Sequence, residues 1–134
     1  MKYPAAIEIG NANTAYSVCF PDLEGCFSAG DTYDEALQNA SEALEMYLEA
    51  LAEDNELPPQ ATSVQDHINN PEYAGWMWAL VDIDTEPFMG GAIKKNVTLP
   101  KLLLKKIDDA VKESSLYKDR SHFLQVAAAR ELHI

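Results

Sequence analysis

The chain has 134 residues, 47% of them apolar and 24% charged, a balance that supports one ordinary domain or two small ones and excludes a disordered chain. Its longest uninterrupted apolar run, residues 76–81, falls far short of the ~20 residues needed to span a bilayer, so no membrane protein is expected. The formal charge is −12.

That mean hides an asymmetry. Residues 1–90 carry 17 acids and a single base, Lys2, whereas residues 91–134 carry nine bases and five acids, giving −16 and +4. An acidic body serves solubility, but it also repels polyanions and attracts a basic partner, while a basic tail can bind phosphates. The reversal at one point suggests two different partners. The first residues hold no sustained apolar stretch, and Cys19 and Cys26 are too few for a disulfide scaffold, so a cytoplasmic protein with reduced thiols is expected.

In chain order, residues 3–9 and 16–20 read as a hairpin across the turn-forming loop 10–14. Tyr16, Val18 and Phe20 alternate with Ser17 and Cys19, the period of a strand with one buried face. The turn Pro21-Asp22-Leu23-Glu24-Gly25 then returns the chain as a third strand over 26–29. Thr32-Tyr33-Asp34-Glu35 matches a capping box and starts a helix. Ala36, Leu37, Ala40, Leu44, Tyr47, Leu48 and Leu51 form its apolar face over about five turns, opposite Asp34, Gln38, Glu42, Glu45 and Glu49. Pro58-Pro59 ends it. Residues 61–75 are expected to be irregular with one short helical turn near 64–68, and residues 76–83 to form a fourth strand buried on both faces near its start.

Pro87 and the pair Gly90-Gly91 lie where the charge changes sign, which predicts domains at 1–86 and 92–134 joined by a linker at 87–91. Residues 93–99 alternate as a strand, Pro100 suits the first turn of a helix over 101–114, and Asp119 can cap another over 120–132. Leu103, Leu104, Ile107, Ala110 and Val111 form the inner face of the first, and Phe123, Leu124, Ala127 and Ala128 that of the second. A strand and two helices in so short a segment cannot bury a core alone, so a dimer is expected. Antiparallel pairing of the strand with its copy puts Val97 and Leu99 in the shared core and projects Lys94, Asn96 and Thr98 outward. A lysine can donate to guanine and an asparagine can pair with adenine in a major groove, which makes these three the candidates for base contact. Arg120 and Ser121, at a helix start, are candidates for a flanking phosphate. A plain solvated strand face and ordinary helix-start chemistry are the structural alternatives.

The stretch Asn96-Val97-Thr98-Leu99-Pro100, with Leu103-Leu104-Lys105-Lys106-Ile107-Asp108 and Arg120-Ser121-His122-Phe123-Leu124, resembles a ribbon-helix-helix DNA-binding domain of the MetJ/Arc class. Tyr16-Ser17-Val18-Cys19-Phe20-Pro21-Asp22-Leu23-Glu24-Gly25-Cys26 and Gly30-Asp31-Thr32-Tyr33-Asp34-Glu35-Ala36 resemble the HicB antitoxin family. The two resemblances imply an α+β chain: a small N-terminal antiparallel sheet with one long helix, partly ribonuclease-H-like, followed by a ribbon-helix-helix domain. They imply an antitoxin that neutralises an mRNA-cleaving toxin of the HicA type and, as a homodimer or higher oligomer, represses its own operon by binding operator DNA. No toxin-contacting residue is identified.

Catalysis is not expected. Glu8, Asp22, Glu24 and Asp31 could only form a two-metal nuclease site by converging on ions about 4 Å apart, and turn and cap chemistry accounts for Asp22, Glu24 and Asp31. Cys19, Cys26 and His67 lack the spacing and fourth ligand of a zinc site, and His122 and His133 have no nucleophile partner. No metal or cofactor is therefore expected. The alternative function is a stand-alone repressor whose N-terminal domain senses a small molecule in a pocket lined by aromatic residues.

Overall fold

The computed structural model describes all 134 residues. In order, the elements are β1 (Lys2–Glu8), β2 (Tyr16–Cys19), β3 (Phe27–Gly30), α1 (Tyr33–Glu53), β4 (Met77–Asp82), α2 (Lys101–Glu113) and α3 (Arg120–Glu131). Three 3₁₀ turns, Val64–Asp66, Pro71–Tyr73 and Glu86–Phe88, lie between them. The architecture is α+β, with four antiparallel strands in the order β3-β2-β1-β4 and three helices. The chain divides into two compact units, Met1–Ala92 and Ile93–Ile134.

In the first unit β1 is an inner strand, and Tyr3, Pro4, Ala5, Ala6 and Ile7 are all buried. A proline is tolerated there because of register. The bond from Ile83 N to Met1 O turns the odd-numbered backbone of β1 toward β4, so the even positions face β2. The β1–β2 pairing begins only at Ala6 and Cys19, which leaves no partner for the amide hydrogen that Pro4 lacks.

α1 covers one face of this sheet. Its Ala36, Ala40, Leu44 and Leu48 pack with Tyr3, Ala5, Ile7, Val18, Phe20 and Val81. Each fully buried leucine contributes about 1.5–3 kcal/mol through removal of apolar area from water. Thr32 caps the helix, its Oγ1 accepting from Glu35 N at 3.1 Å. The approach of α1 to β3 requires a glycine. A Cβ on Gly30 would lie 2.4 Å from Ala36 N. The preceding turn uses Gly25 at φ +82°, a left-handed conformation that other residues adopt at a cost.

Two expectations need correction. β4 is not buried on both faces near its start. It is an edge strand paired only with β1, and Met77 and Leu80 are exposed. Its apolar run was read as that of a central strand, but an edge strand with one covered face can carry the same residues. The segment before it folds into two 3₁₀ turns, not one, with Asn70 capping the second by accepting from Glu72 N.

That segment is pinned to the sheet. Thr62 donates to Asp22 from its amide at 2.9 Å and from its hydroxyl at 2.6 Å. With the hydroxyl hydrogen committed to Asp22, His67 Nε2 donates to Thr62 Oγ1, 2.6 Å away. The His67 ring stacks on Trp78 at a centroid distance of 6.0 Å. Tyr73 packs edge-on against Trp76 and Trp78 at 5.3 and 5.4 Å, and its hydroxyl lies 3.8 Å from Cys19 Sγ. Alternation places Ala6, Cys19 and Trp78 on the face away from α1, so this aromatic group lies over the second face of the sheet.

The second unit is less enclosed. Ile107 is its one buried side chain, and Leu104, Ala110, Val111, Phe123 and Leu124 are half-buried. Asp119 caps α3 by accepting from His122 N at 2.8 Å. Tyr117 packs edge-on against Phe123 at 4.8 Å, and the Arg120 guanidinium bridges to Asp108 of α2.

Candidate functional site

Residues 93–99, expected as a strand, pair with nothing in one copy of the chain and are not assigned as one. The reason is physical: a strand exists only with a partner for its backbone groups. Ile93 and Val97 are 78% and 66% exposed, and Leu99 is half-buried. Leu102, Leu116 and Leu132 are exposed too, as are Leu103, Ala127 and Ala128, which were expected to face inward. The same unit thus carries a large uncovered apolar surface and seven lysines and two arginines. Scattered apolar residues are ordinary on a surface, but a concentration of this kind marks an interaction site.

Lys94, Asn96 and Thr98 occupy alternate positions on this segment, and all three are exposed. Arg120 has a different environment. Its Nε and Nη2 each donate to an Asp108 carboxylate oxygen at 3.0 Å, a bidentate pair that joins α3 to α2. The bonds from Arg120 hold the Asp108 carboxyl below its usual range, and Asp108 in turn raises the guanidinium. Ser121 is exposed in the first turn of α3, beside the Asp119 cap. The structure therefore leaves Ser121 free and commits part of Arg120 to the helix pair. Sequence reading missed Asp108 as its partner, because the two lie 12 positions apart on separate helices.

In the first unit the four carboxylates weighed for catalysis do not converge. No group of three or more His, Cys, Asp or Glu side chains is placed to hold a metal ion. Asp22 is instead the acceptor for Thr62. Burial pushes the Cys26 thiol up to about 11, with Cys19 adding to the rise, and burial also raises Cys19, so neither is poised as a thiolate near neutrality. Tyr73 packs against both Trp76 and Trp78. Outside that group, α1 presents Glu42, Glu45, Glu49 and Glu53 to solvent without a single base along its length.

No helix is long and apolar enough to cross a membrane. Comparison with known proteins agrees over nearly the whole length. An uncharacterized 14.9 kDa protein of the rep-hol intergenic region of Haemophilus phage HP1 (strain HP1c1) is 43% identical, covering 98% of each chain. The crystal structure of the Burkholderia pseudomallei antitoxin HicB superposes with a TM-score of 0.71 at 34% identity, over 98% of both chains. A HicA3 and HicB3 toxin-antitoxin complex contains a chain that matches 63% of this one and 99% of its own length, with a TM-score of 0.54 and 31% identity. The family model for the HicB-like antitoxin of bacterial toxin-antitoxin systems matches residues 3–128, and the chain belongs to that family.

Proposed function

We propose that the first unit binds and neutralises a small basic ribonuclease toxin of the HicA type, and that the second unit dimerises as a ribbon-helix-helix domain and represses the operon encoding both proteins. One observation carries this reading. The boundary between the compact units, at 92/93, falls where the charge changes from −16 to +4. A partner rich in lysine and arginine is attracted to the first unit, and a phosphate backbone to the second. A chain of the HicA3 and HicB3 toxin-antitoxin complex matches 63% of this one, which supports a toxin of that class as the partner.

In the second unit, antiparallel pairing of residues 93–99 with the same residues of a second copy satisfies their backbone groups and covers Val97 and Leu99. It leaves Lys94, Asn96 and Thr98 on the outer face of a two-stranded ribbon, which fits a major groove. The protein contributes binding surfaces to this function and no catalytic step. In this reading the toxin-binding domain spans 1–86 and the DNA-binding domain 92–134, joined by a linker at 87–91.

The experiment is growth of cells expressing the small open reading frame adjacent to the gene, with and without this protein. Arrest by the neighbour alone and recovery on co-expression is the expected result. A harmless neighbour, together with no binding of the purified protein to its own promoter, overturns the reading.

A further inference from the structure

β3 is an edge of the sheet, and its open side adjoins a groove. The bond from Phe20 N to Cys26 O turns the backbone of Cys26 toward β2, so alternation turns that of Phe27 and Ala29 away from it. Asn39 of α1 confirms the direction by donating to Ala29 O at 2.8 Å. Phe27 is left at the edge with its amide and carbonyl pointing outward and its residue 66% exposed. Beside it runs a groove of about 440 Å³ lined by Gly25, Cys26, Phe27, Ala43, Met46 and Tyr47.

The rim of this groove is acidic. Met46, 69% exposed, lies in one helical row with Glu42, Glu49 and Glu53, at spacings of three and four residues. Glu24 directly precedes Gly25 of the groove lining, and after burial and Cys26 it adds to the rise of the Tyr47 hydroxyl. The unit around it has one lysine against 17 acids.

We propose that this groove and the edge of β3, left open at Phe27 where Asn39 does not occupy it, receive an extended basic segment of the toxin. The segment adds to β3 as a further strand, places an apolar side chain against Met46 and Tyr47, and pairs flanking lysines or arginines with Glu24, Glu42 and Glu49. Main-chain bonds of such an added strand supply affinity and the groove supplies selection. The charge favours a cationic occupant over a second copy of this unit, which is equally acidic and would be repelled. The proposal rests on the toxin-binding reading above and assigns its surface.

The test measures binding of the purified product of the adjacent open reading frame to the full chain by calorimetry. Met46→Lys places a positive charge in the groove, and Phe27→Pro removes the outward amide hydrogen. Leu80→Lys makes the same charge change on the other sheet edge, at a residue 54% exposed. Thermal melting by circular dichroism establishes that each variant is folded. Loss of affinity by roughly thirtyfold or more in Met46→Lys and Phe27→Pro, the size of a hot-spot effect, with little change in Leu80→Lys, is the expected result. In the wild-type complex the Phe27 amide should also gain protection from hydrogen exchange, a readout that needs no variant. Wild-type affinity in Met46→Lys and Phe27→Pro, or an unprotected Phe27 amide, overturns the groove and leaves the toxin-binding reading intact. Failure of the wild-type protein to bind overturns both.

Discussion

Substituting Val97 by Asp tests the proposed dimer most directly, because the strand alternation requires the adjacent substitution to behave differently. Val97 is 66% exposed in one copy. If pairing with a second copy covers that remaining surface, it contributes about two-thirds of the ~1.5–3 kcal/mol of a fully buried valine, or roughly 2–4 kcal/mol over both copies. An aspartate there forfeits this and brings two ionised carboxylates out of water beside each other, at a penalty of several kcal/mol per ion. A combined loss of at least ~5 kcal/mol raises the dimer dissociation constant by more than three decades. Thr98→Asp introduces the same charge one position along, on the outer face. It should leave the dimer intact and abolish DNA binding through repulsion of the phosphates. Sedimentation of the full chain at micromolar concentration, with a promoter-fragment mobility shift alongside, separates the two. A Val97→Asp protein as dimeric as wild type, or a Thr98→Asp protein equally dissociated, refutes the assigned register.

The remaining predictions use the same preparation. Lys94→Ala and Asn96→Ala should each weaken operator binding by about 1–3 kcal/mol while sparing random DNA, and an equal loss on both would make them phosphate contacts. Asp108→Asn should lower the melting temperature at neutral pH by removing the tie between α2 and α3. Because the folded Asp108 carboxyl lies below its ordinary value, the pair's contribution is present above the unfolded carboxyl range near pH ~4 and is lost as pH falls through the folded value. The gap between wild type and Asp108→Asn should therefore persist down to that range and close only below it; a gap that closes above pH ~5 would point to another group. Gly30→Ala should destabilise the first unit by about 1–3 kcal/mol in urea unfolding, because its Cβ would press on Ala36 N, a backbone atom that cannot move without shifting α1.

The parts of the fold written in local chemistry were legible from the residues. Thr32 and Asp119 cap the helices they precede, and the apolar spacing from Ala36 to Leu48 marks the face that α1 buries. Gly25 and the sequence around it form the turn between β2 and β3. What failed depended on distant neighbours. Residues 77–82 look like a buried strand in isolation, and only the sheet order makes them an edge. Thr62 and His67 belong to an irregular segment, and their role appears only when Asp22 is brought beside them from 40 positions earlier in the chain. The same limit applies to the candidate sites. Periodicity placed Lys94, Asn96 and Thr98 together, but it gave no sign that Arg120 would be engaged by Asp108.

Exposed apolar residues separate the two kinds of surface in this chain. Leu44 and Leu48 are apolar and buried within a single copy, so their spacing needs no partner to explain it. Ile93, Val97 and Leu99 share one face of an extended segment, interrupted by Lys95, yet Ile93 and Val97 remain exposed, which fits the partner proposed for this segment. For these residues a second copy offers the same alternation in antiparallel register and needs no other surface. Met46 is exposed without such a complementary partner in its own acidic unit, so the pairing proposed to cover Val97 cannot be extended to it. A cationic protein supplies what a second copy lacks there, which is why the two apolar exposures call for different partners.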